Sequence, residues 1–190
     1  MAKILAFSGS LSKDSINQKL VTYAGELARS HGAEVTVVSL RDFDLPLLNT
    51  DIEAESGLPG DAIRLKDLMK ASDGFIIACP EFNSSITPAL KNAIDWASRP
   101  AKGEKPLECF AGKCAALCAT SPGGLGGLRG LDHVREILGN IQVHVVPGMV
   151  AVGVASEAFD DNGSLKDEGV RGRLDSLVAN LVRSVEALGG

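Results

Sequence analysis

No cluster of lysine or arginine stands out in this chain, and its formal net charge is -5. Nucleic acids and anionic membranes attract concentrated positive charge, so neither is an expected partner. No stretch reaches about 18 uninterrupted apolar residues, so no membrane span is expected. The apolar run at the N-terminus is short and lacks the charged and cleavage regions of a signal peptide. A cytoplasmic location is the default expectation. Histidine is sparse: His31, His133 and His144 are scattered. A zinc site needs tight cysteine pairs with histidine partners, so no metal is expected. The four cysteines are Cys79, Cys109, Cys114 and Cys118. Cys114 and Cys118 lie four apart in an apolar run, which puts them on one face of a strand. They read as buried, reduced thiols.

What is present suits one folded domain. The chain has 190 residues, of which 45% are hydrophobic and 23% charged. A full core can be built from that composition, and a single domain over residues 1–190 is expected. Apolar runs at 3–7, 34–40, 74–79, 113–119 and 142–152 read as strands. The last of these is interrupted by Pro147 and Gly148. Helical periodicity appears at 17–30, 61–71, 88–97, 131–138 and 170–188. This is strand followed by helix, five times over. Continuous apolar strands are buried on both faces, which implies an α/β fold with a parallel sheet and helices on each side. Residues 41–60 and 99–112 read as long surface loops. Ligands of such sheets bind beyond the carboxyl ends of the strands, so the loops there are the places to look for chemistry.

Three of these loops are informative. The first runs from Ser8 into the helix at 17–30. Ser15 is a good N-cap, and Gln18 completes a capping box. The free N–H groups at that helix start make an anion site. Ser10, Ser15 and Asn17 add neutral donors, and Gly9 lets the backbone turn tightly. The same residues also fit an ordinary turn and cap. The Walker A pattern and the Gly-x-Gly-x-x-Gly fingerprint are both absent, which disfavours a tightly bound dinucleotide at this loop. The second loop lies between Cys79 and the helix opened by Thr87 and Pro88. Its amides and Asn83 can bond the rim of a planar heterocycle, while Glu81 and Phe82 can cover one face. The third loop has four glycines in five positions, Gly123, Gly124, Gly126 and Gly127. It permits close approach to a ligand, or simply motion. Ser121 is no hydrolase nucleophile, because no Gly-x-Ser-x-Gly elbow surrounds it.

The segment 9–17 resembles the phosphate loop of the NADPH-dependent FMN reductase family, which includes quinone, chromate and azo-dye reductases. Pro80, Glu81, Phe82 and Asn83, followed by Leu-Lys-Asn-Ala-Ile-Asp-Trp at 90–96, resemble that family's long signature. The resemblance implies a flavodoxin-like three-layer sandwich with five parallel strands in the order 2-1-3-4-5. It implies FMN as cofactor and NADPH or NADH as co-substrate. Carried over by position, Ser10, Leu11, Ser15, Ile16 and Asn17 bind the FMN phosphate. Pro80, Glu81, Phe82, Asn83 and Ser84 line the isoalloxazine, with Ser85 and Ile86 giving further loop contacts. Ser121, Gly123 and Gly124 lie beside the pyrimidine. Arg129 is assigned to the pyridine nucleotide or to a neighbouring subunit. Two departures stand out. Ser12 replaces an arginine common in relatives, and Phe82 replaces a tyrosine.

The implied reaction is a hydride relay from NAD(P)H through flavin N5 to quinones, azo compounds, free flavin or chromate. The cofactor carries that chemistry, so no catalytic side chain is expected. Lys91 and Asp95 stand at i and i+4, the spacing of a surface ion pair. Trp96 reads either as core or as a subunit anchor, and the family's dimer favours the anchor. A homodimer or homotetramer is implied. The alternatives are a flavodoxin-type electron carrier and a hydrolase sharing only the architecture.

Overall fold

The computed structural model describes residues 1–189; Gly190 lies outside the described residues. Three long parallel strands form its centre, β1 (Lys3–Ser8), β3 (Gly74–Ala78) and β6 (Cys114–Thr120). Nearly every residue in them is buried, as expected for strands covered on both faces. β2 (Glu34–Ser39) pairs with β1 at one edge. The other edge is a single position filled by two short strands, β7 (His144–Val145) and β8 (Val150–Val152), both parallel to β6. Pro147 and Gly148 separate them. Proline has no N–H for the ladder, and Gly148 takes a φ of 95°. With β7 and β8 counted as one position, the expected order 2-1-3-4-5 is observed.

Alternation along the strands splits the core in two. Ile4, Ala6, Ile76, Ala78, Cys114, Ala116 and Cys118 face α1 (Ile16–Ser30) and α7 (Glu168–Leu188). Leu5, Phe7, Phe75, Ile77, Ala115, Leu117 and Ala119 face the other layer. That layer holds α3 (Gly60–Lys70), α4 (Pro88–Ser98) and α5 (Leu128–Asn140). All four cysteines are buried and unpaired. Burial pushes the Cys118 thiol up to about 12, and that of Cys79 well above its ordinary value. These are inert thiols, as the apolar run implied.

The two expected loops contain more order than their composition suggested. Within 41–60 lies α2 (Thr50–Ser56), which buries no residue and so carries no apolar periodicity to detect. Asn49 caps it by accepting from the Asp51 N–H, and Glu53 pairs with Arg99 at 2.8 Å. The loop at 99–112 is anchored by Glu104, which bridges Lys66 at 2.5 Å and Lys70 at 2.7 Å. Lys66 is buried and also donates to the Arg99 carbonyl. A two-stranded hairpin, β4 (Glu81–Phe82) and β5 (Ser85–Ile86), a 3-10 turn at Leu40–Asp42 and a single helical turn, α6 (Ala155–Ala158), complete the elements.

Trp96 corrects an expectation. It is 1% exposed, and its indole N–H donates to the Pro46 carbonyl at 2.6 Å. Its neighbour one turn back, Asn92, donates to the Leu45 and Pro46 carbonyls and accepts from the Leu48 N–H. This face of α4 therefore holds down the chain's own loop and offers no indole to a second subunit. Lys91 and Asp95 form the ion pair their spacing implied, at 2.7 Å.

Candidate flavin site

The loops after β1, β3 and β6 meet at the carboxyl end of the sheet, and buried polar bonds hold them in register. Gly9 donates its N–H to the Ala78 carbonyl at 2.9 Å. Its carbonyl accepts from the buried Thr87 hydroxyl at 2.7 Å. A side chain at Gly9 would put its Cβ 2.7 Å from Leu90 Cβ and 3.2 Å from Pro80 Cδ. Glycine is required here because the first two loops touch. Thr87 also caps α4, accepting from the Leu90 N–H. One hydroxyl thus ends the flavin-edge loop and ties it to the phosphate loop.

Asn17 ties the first loop to the third. Its Nδ2 donates to the Thr120 carbonyl at 2.8 Å, and its Oδ1 accepts from the Thr120 N–H at 3.0 Å. Both residues are buried. The side chain assigned to phosphate from the sequence is therefore committed to the end of β6. What Asn17 offers outward is its main-chain N–H.

The rest of the phosphate loop keeps a donor set. Ser15 caps α1 by accepting from the Gln18 N–H at 3.1 Å. The reciprocal half of the capping box does not form, because the Gln18 side chain bonds Ser8 and the Val38 carbonyl instead. The N–H groups of Ile16 and Asn17 open the helix and have no partner within it. The Ser10 hydroxyl accepts from the Ser12 N–H at 3.2 Å, and Leu11 is exposed. Neutral N–H and O–H groups at a helix N-terminus fit a phosphate monoester.

At the flavin edge, Asn83 and Ser84 have φ of 50° and 67°. Two successive positive φ values make the tight hairpin turn whose twist matches its strands. This sets Phe82 on the rim with 60% of its surface exposed. Pro80 is buried against the sheet. Glu81 corrects an expectation: its carboxylate does not lie open to cover a ring. It accepts from Arg129 at 2.6 Å and 3.1 Å, and from the Gly130 N–H at 3.1 Å. Burial pushes this carboxyl up, but the Arg129 and Gly130 bonds outweigh burial and leave it below its ordinary value. The N-cap residue of α5 is Gly127, which has no side chain to cap it, so Glu81 supplies one from another loop. Arg129 is correspondingly engaged within the chain. Ser85 and His133 Nδ1 lie 2.9 Å apart, a second link between the same elements that the sequence did not suggest.

The glycine loop divides by role. Gly126, at φ 62°, would place a Cβ 2.6 Å from the Val152 backbone, and Gly127, at φ 88°, 2.9 Å from Ala119 Cβ. These two are packing glycines. Gly124 faces open space, and Gly123 meets only Ser121 Oγ at 3.9 Å. Ser121 Oγ donates to the Gly123 carbonyl at 3.3 Å. The Ser121 main chain pairs with Val152 and Ala155. A rigid base thus carries an open edge at Ser121, Gly123 and Gly124. Among the described residues no group of His, Cys, Asp or Glu could hold a metal ion.

This doubly wound sheet, with a neutral phosphate cradle and an amide-lined rim at its carboxyl end, defines a flavodoxin-like mononucleotide-binding protein. The chain belongs to the NADPH-dependent FMN reductase family, whose family model matches residues 2–157. It is 36% identical over 171 residues to an NAD(P)H-dependent FMN reductase of Pseudomonas aeruginosa, covering 89% of this chain and 87% of that one. It is 32% identical over 182 residues to a probable NADPH:quinone oxidoreductase of rice, Oryza sativa, covering 94% and 86%. Among solved structures, FerB of Paracoccus denitrificans, a flavoenzyme NAD(P)H:(acceptor) oxidoreductase, superposes with a TM-score of 0.80. The identity there is 30%, and 98% of each chain is covered. The family makes this an FMN-dependent enzyme rather than an electron carrier, with NAD(P)H as co-substrate. No helix among the described residues is long and apolar enough to cross a membrane.

Proposed function

We propose that this chain, acting as one domain in the cytoplasm, passes reducing equivalents from NAD(P)H to quinone-class acceptors at the shelf formed by the loops after β1, β3 and β6. The observation that carries the reading is the pinning of three loops into one surface by Thr87, Asn17 and Glu81. Bound FMN supplies the hydride relay at its N5. The chain's residues bind and orient. Ser10 and Ser15 offer hydroxyls to the phosphate, and Leu11, Ile16 and Asn17 offer main-chain N–H groups. Pro80, Phe82, Asn83 and Ser84 line the ring, with Glu81 contributing its backbone. Ser121, Gly123 and Gly124 approach the pyrimidine end. No side chain need act as an acid or base, since the flavin carries the chemistry.

A homodimer closes the shelf in this reading. Leu11, Phe82, Leu125, Leu128 and Val154 are exposed large apolar residues on the loops, the hairpin and the helix start at this end of the sheet. A second subunit seated at this end of the sheet would cover them. The test is anaerobic reduction of the FMN-loaded protein by NADPH, followed by mixing with a panel of quinones. Rapid bleaching and rapid reoxidation are expected. A colourless protein that takes up no added FMN at micromolar concentration would sink the assignment. Light scattering at the same concentration should give a dimer mass.

A further inference from the structure

Hairpin β4–β5 has only two residue pairs, Glu81 with Ile86 and Phe82 with Ser85. A two-stranded hairpin has marginal stability by itself. Its turn residues, Asn83 and Ser84, both take a positive φ, a conformation uncommon outside glycine and held at a cost. Their main-chain N–H groups have no partner among the described residues. Support has to come from outside the hairpin.

That support is α5. Its Leu131, Val134 and Leu138 are buried, so the helix is fixed to the sheet. Each strand of the hairpin sends one side chain to it. From β4, Glu81 accepts from Arg129 at 2.6 Å and from the Gly130 N–H at 3.1 Å. From β5, Ser85 Oγ lies 2.9 Å from His133 Nδ1. Gly130 and His133 stand three apart, on one face of the helix. The helix lies close between them: a Cβ at Gly130 would be 3.3 Å from the Ser85 carbonyl oxygen and 3.4 Å from Glu81 Cβ. Both strands are thus gripped, at points one turn apart. The two grips differ in kind. Glu81 also caps α5, whereas His133 is exposed, caps nothing and bonds only Ser85 among the described residues.

We propose that His133 is a positioning residue for the flavin, holding the Asn83–Ser84 turn so that its free N–H groups stay fixed beside the ring. The inference rests on the reading in which these residues line the isoalloxazine. Reduction adds electron density to that ring. Fixed N–H dipoles favour the electron-rich form more than mobile ones do, because they need no reorganisation. The clasp therefore favours reduced over oxidised FMN and raises the potential of the bound cofactor.

The test compares His133→Ala, His133→Asn, His133→Gln and Ser85→Ala in the full chain. Asparagine places an amide where Nδ1 stood and can accept or donate there, whereas glutamine reaches the Nε2 position. The two-electron potential of bound FMN is read anaerobically against a reference dye. His133→Ala should weaken reduced FMN roughly threefold more than oxidised FMN, part of the worth of one hydrogen bond. That ratio lowers the potential by about 14 mV. Ser85→Ala should match it, and the double variant should fall no further. His133→Asn should restore the parent potential, and His133→Gln should not. In the FMN-free chain, amide hydrogen exchange at 82–86 should speed up severalfold in His133→Ala. His133 is exposed, so its variants are expected to fold, with circular dichroism as the check. An unchanged potential or unchanged exchange in His133→Ala, or no rescue by asparagine, overturns the proposal. FMN uptake by the parent chain, read by absorbance, tests the flavin reading separately and so distinguishes the two failures.

Discussion

Removing the Asn17 side chain separates two descriptions of the phosphate loop. As a phosphate ligand, Asn17→Ala weakens FMN binding and leaves the flavin-free protein as stable as before. As the buried staple seen here, it destabilises the protein with no ligand present. The substitution deletes bonds of 2.8 Å and 3.0 Å and leaves the N–H and carbonyl of Thr120, itself 1% exposed, without partners. Each orphaned backbone group costs about 1–3 kcal/mol, and water entering the vacated space recovers part of that. A net loss of about 3 kcal/mol follows, equivalent to a fall in Tm of roughly 6–12 °C for a chain of this size. Urea unfolding of the flavin-free chain is the assay, with the midpoint and slope both recorded. Asn17→Asp sharpens it, because its carboxylate keeps the Thr120 N–H but faces the Thr120 carbonyl. The folded state then raises the pKa of that carboxyl, so Asn17→Asp should gain stability relative to the parent as pH falls and the group protonates. A loss below about 1 kcal/mol for Asn17→Ala, together with weakened FMN binding, would refute the staple.

Other tests address the remaining links. The Lys66 and Lys70 bonds hold the Glu104 carboxyl at about 2, below its ordinary 4.5. Its stabilisation is therefore complete above about pH 4.5 and lost as pH falls toward 2; Glu104→Gln should flatten that acid limb in a pH series of urea midpoints. Glu81→Ala and Arg129→Ala should show a coupling of only about 1 kcal/mol in a double-mutant cycle, because Arg129 is 56% exposed. Glu81→Ala alone should also weaken FMN severalfold by loosening the start of α5, read by fluorescence titration. Gly126→Ala should cost more than about 2 kcal/mol, from a positive φ and a clash with the Val152 backbone. Gly124→Ala faces open space and should leave stability within about 0.5 kcal/mol while weakening FMN.

Long-period signals in the chain were legible. The apolar runs of β1, β3 and β6 imply two-faced burial, and two core layers divide them residue by residue. The signature at 90–96 fixed the family reading, yet most of its side chains proved internal. Trp96 and Asn92 hold the loop at 45–48, and Lys91 pairs with Asp95. A motif reports that a helix is kept, without saying which of its residues meet a ligand. α2 was not legible because it buries nothing, and periodicity only records burial.

Local chemistry determined what could be read in one dimension. Strand and helix alternation, the Ser15 cap and the glycine-rich turn all act between near neighbours, where propensity and hydrogen bonding operate. Tertiary structure alone decided how polar side chains were spent. Asn17 reaches Thr120 across 103 positions, Thr87 reaches Gly9 across 78, and Glu81 reaches Gly130 across 49. Asn17 and Thr87 are buried and Glu81 is partly so; each must find a partner, and which partner lies near is settled only when the strands stack in order.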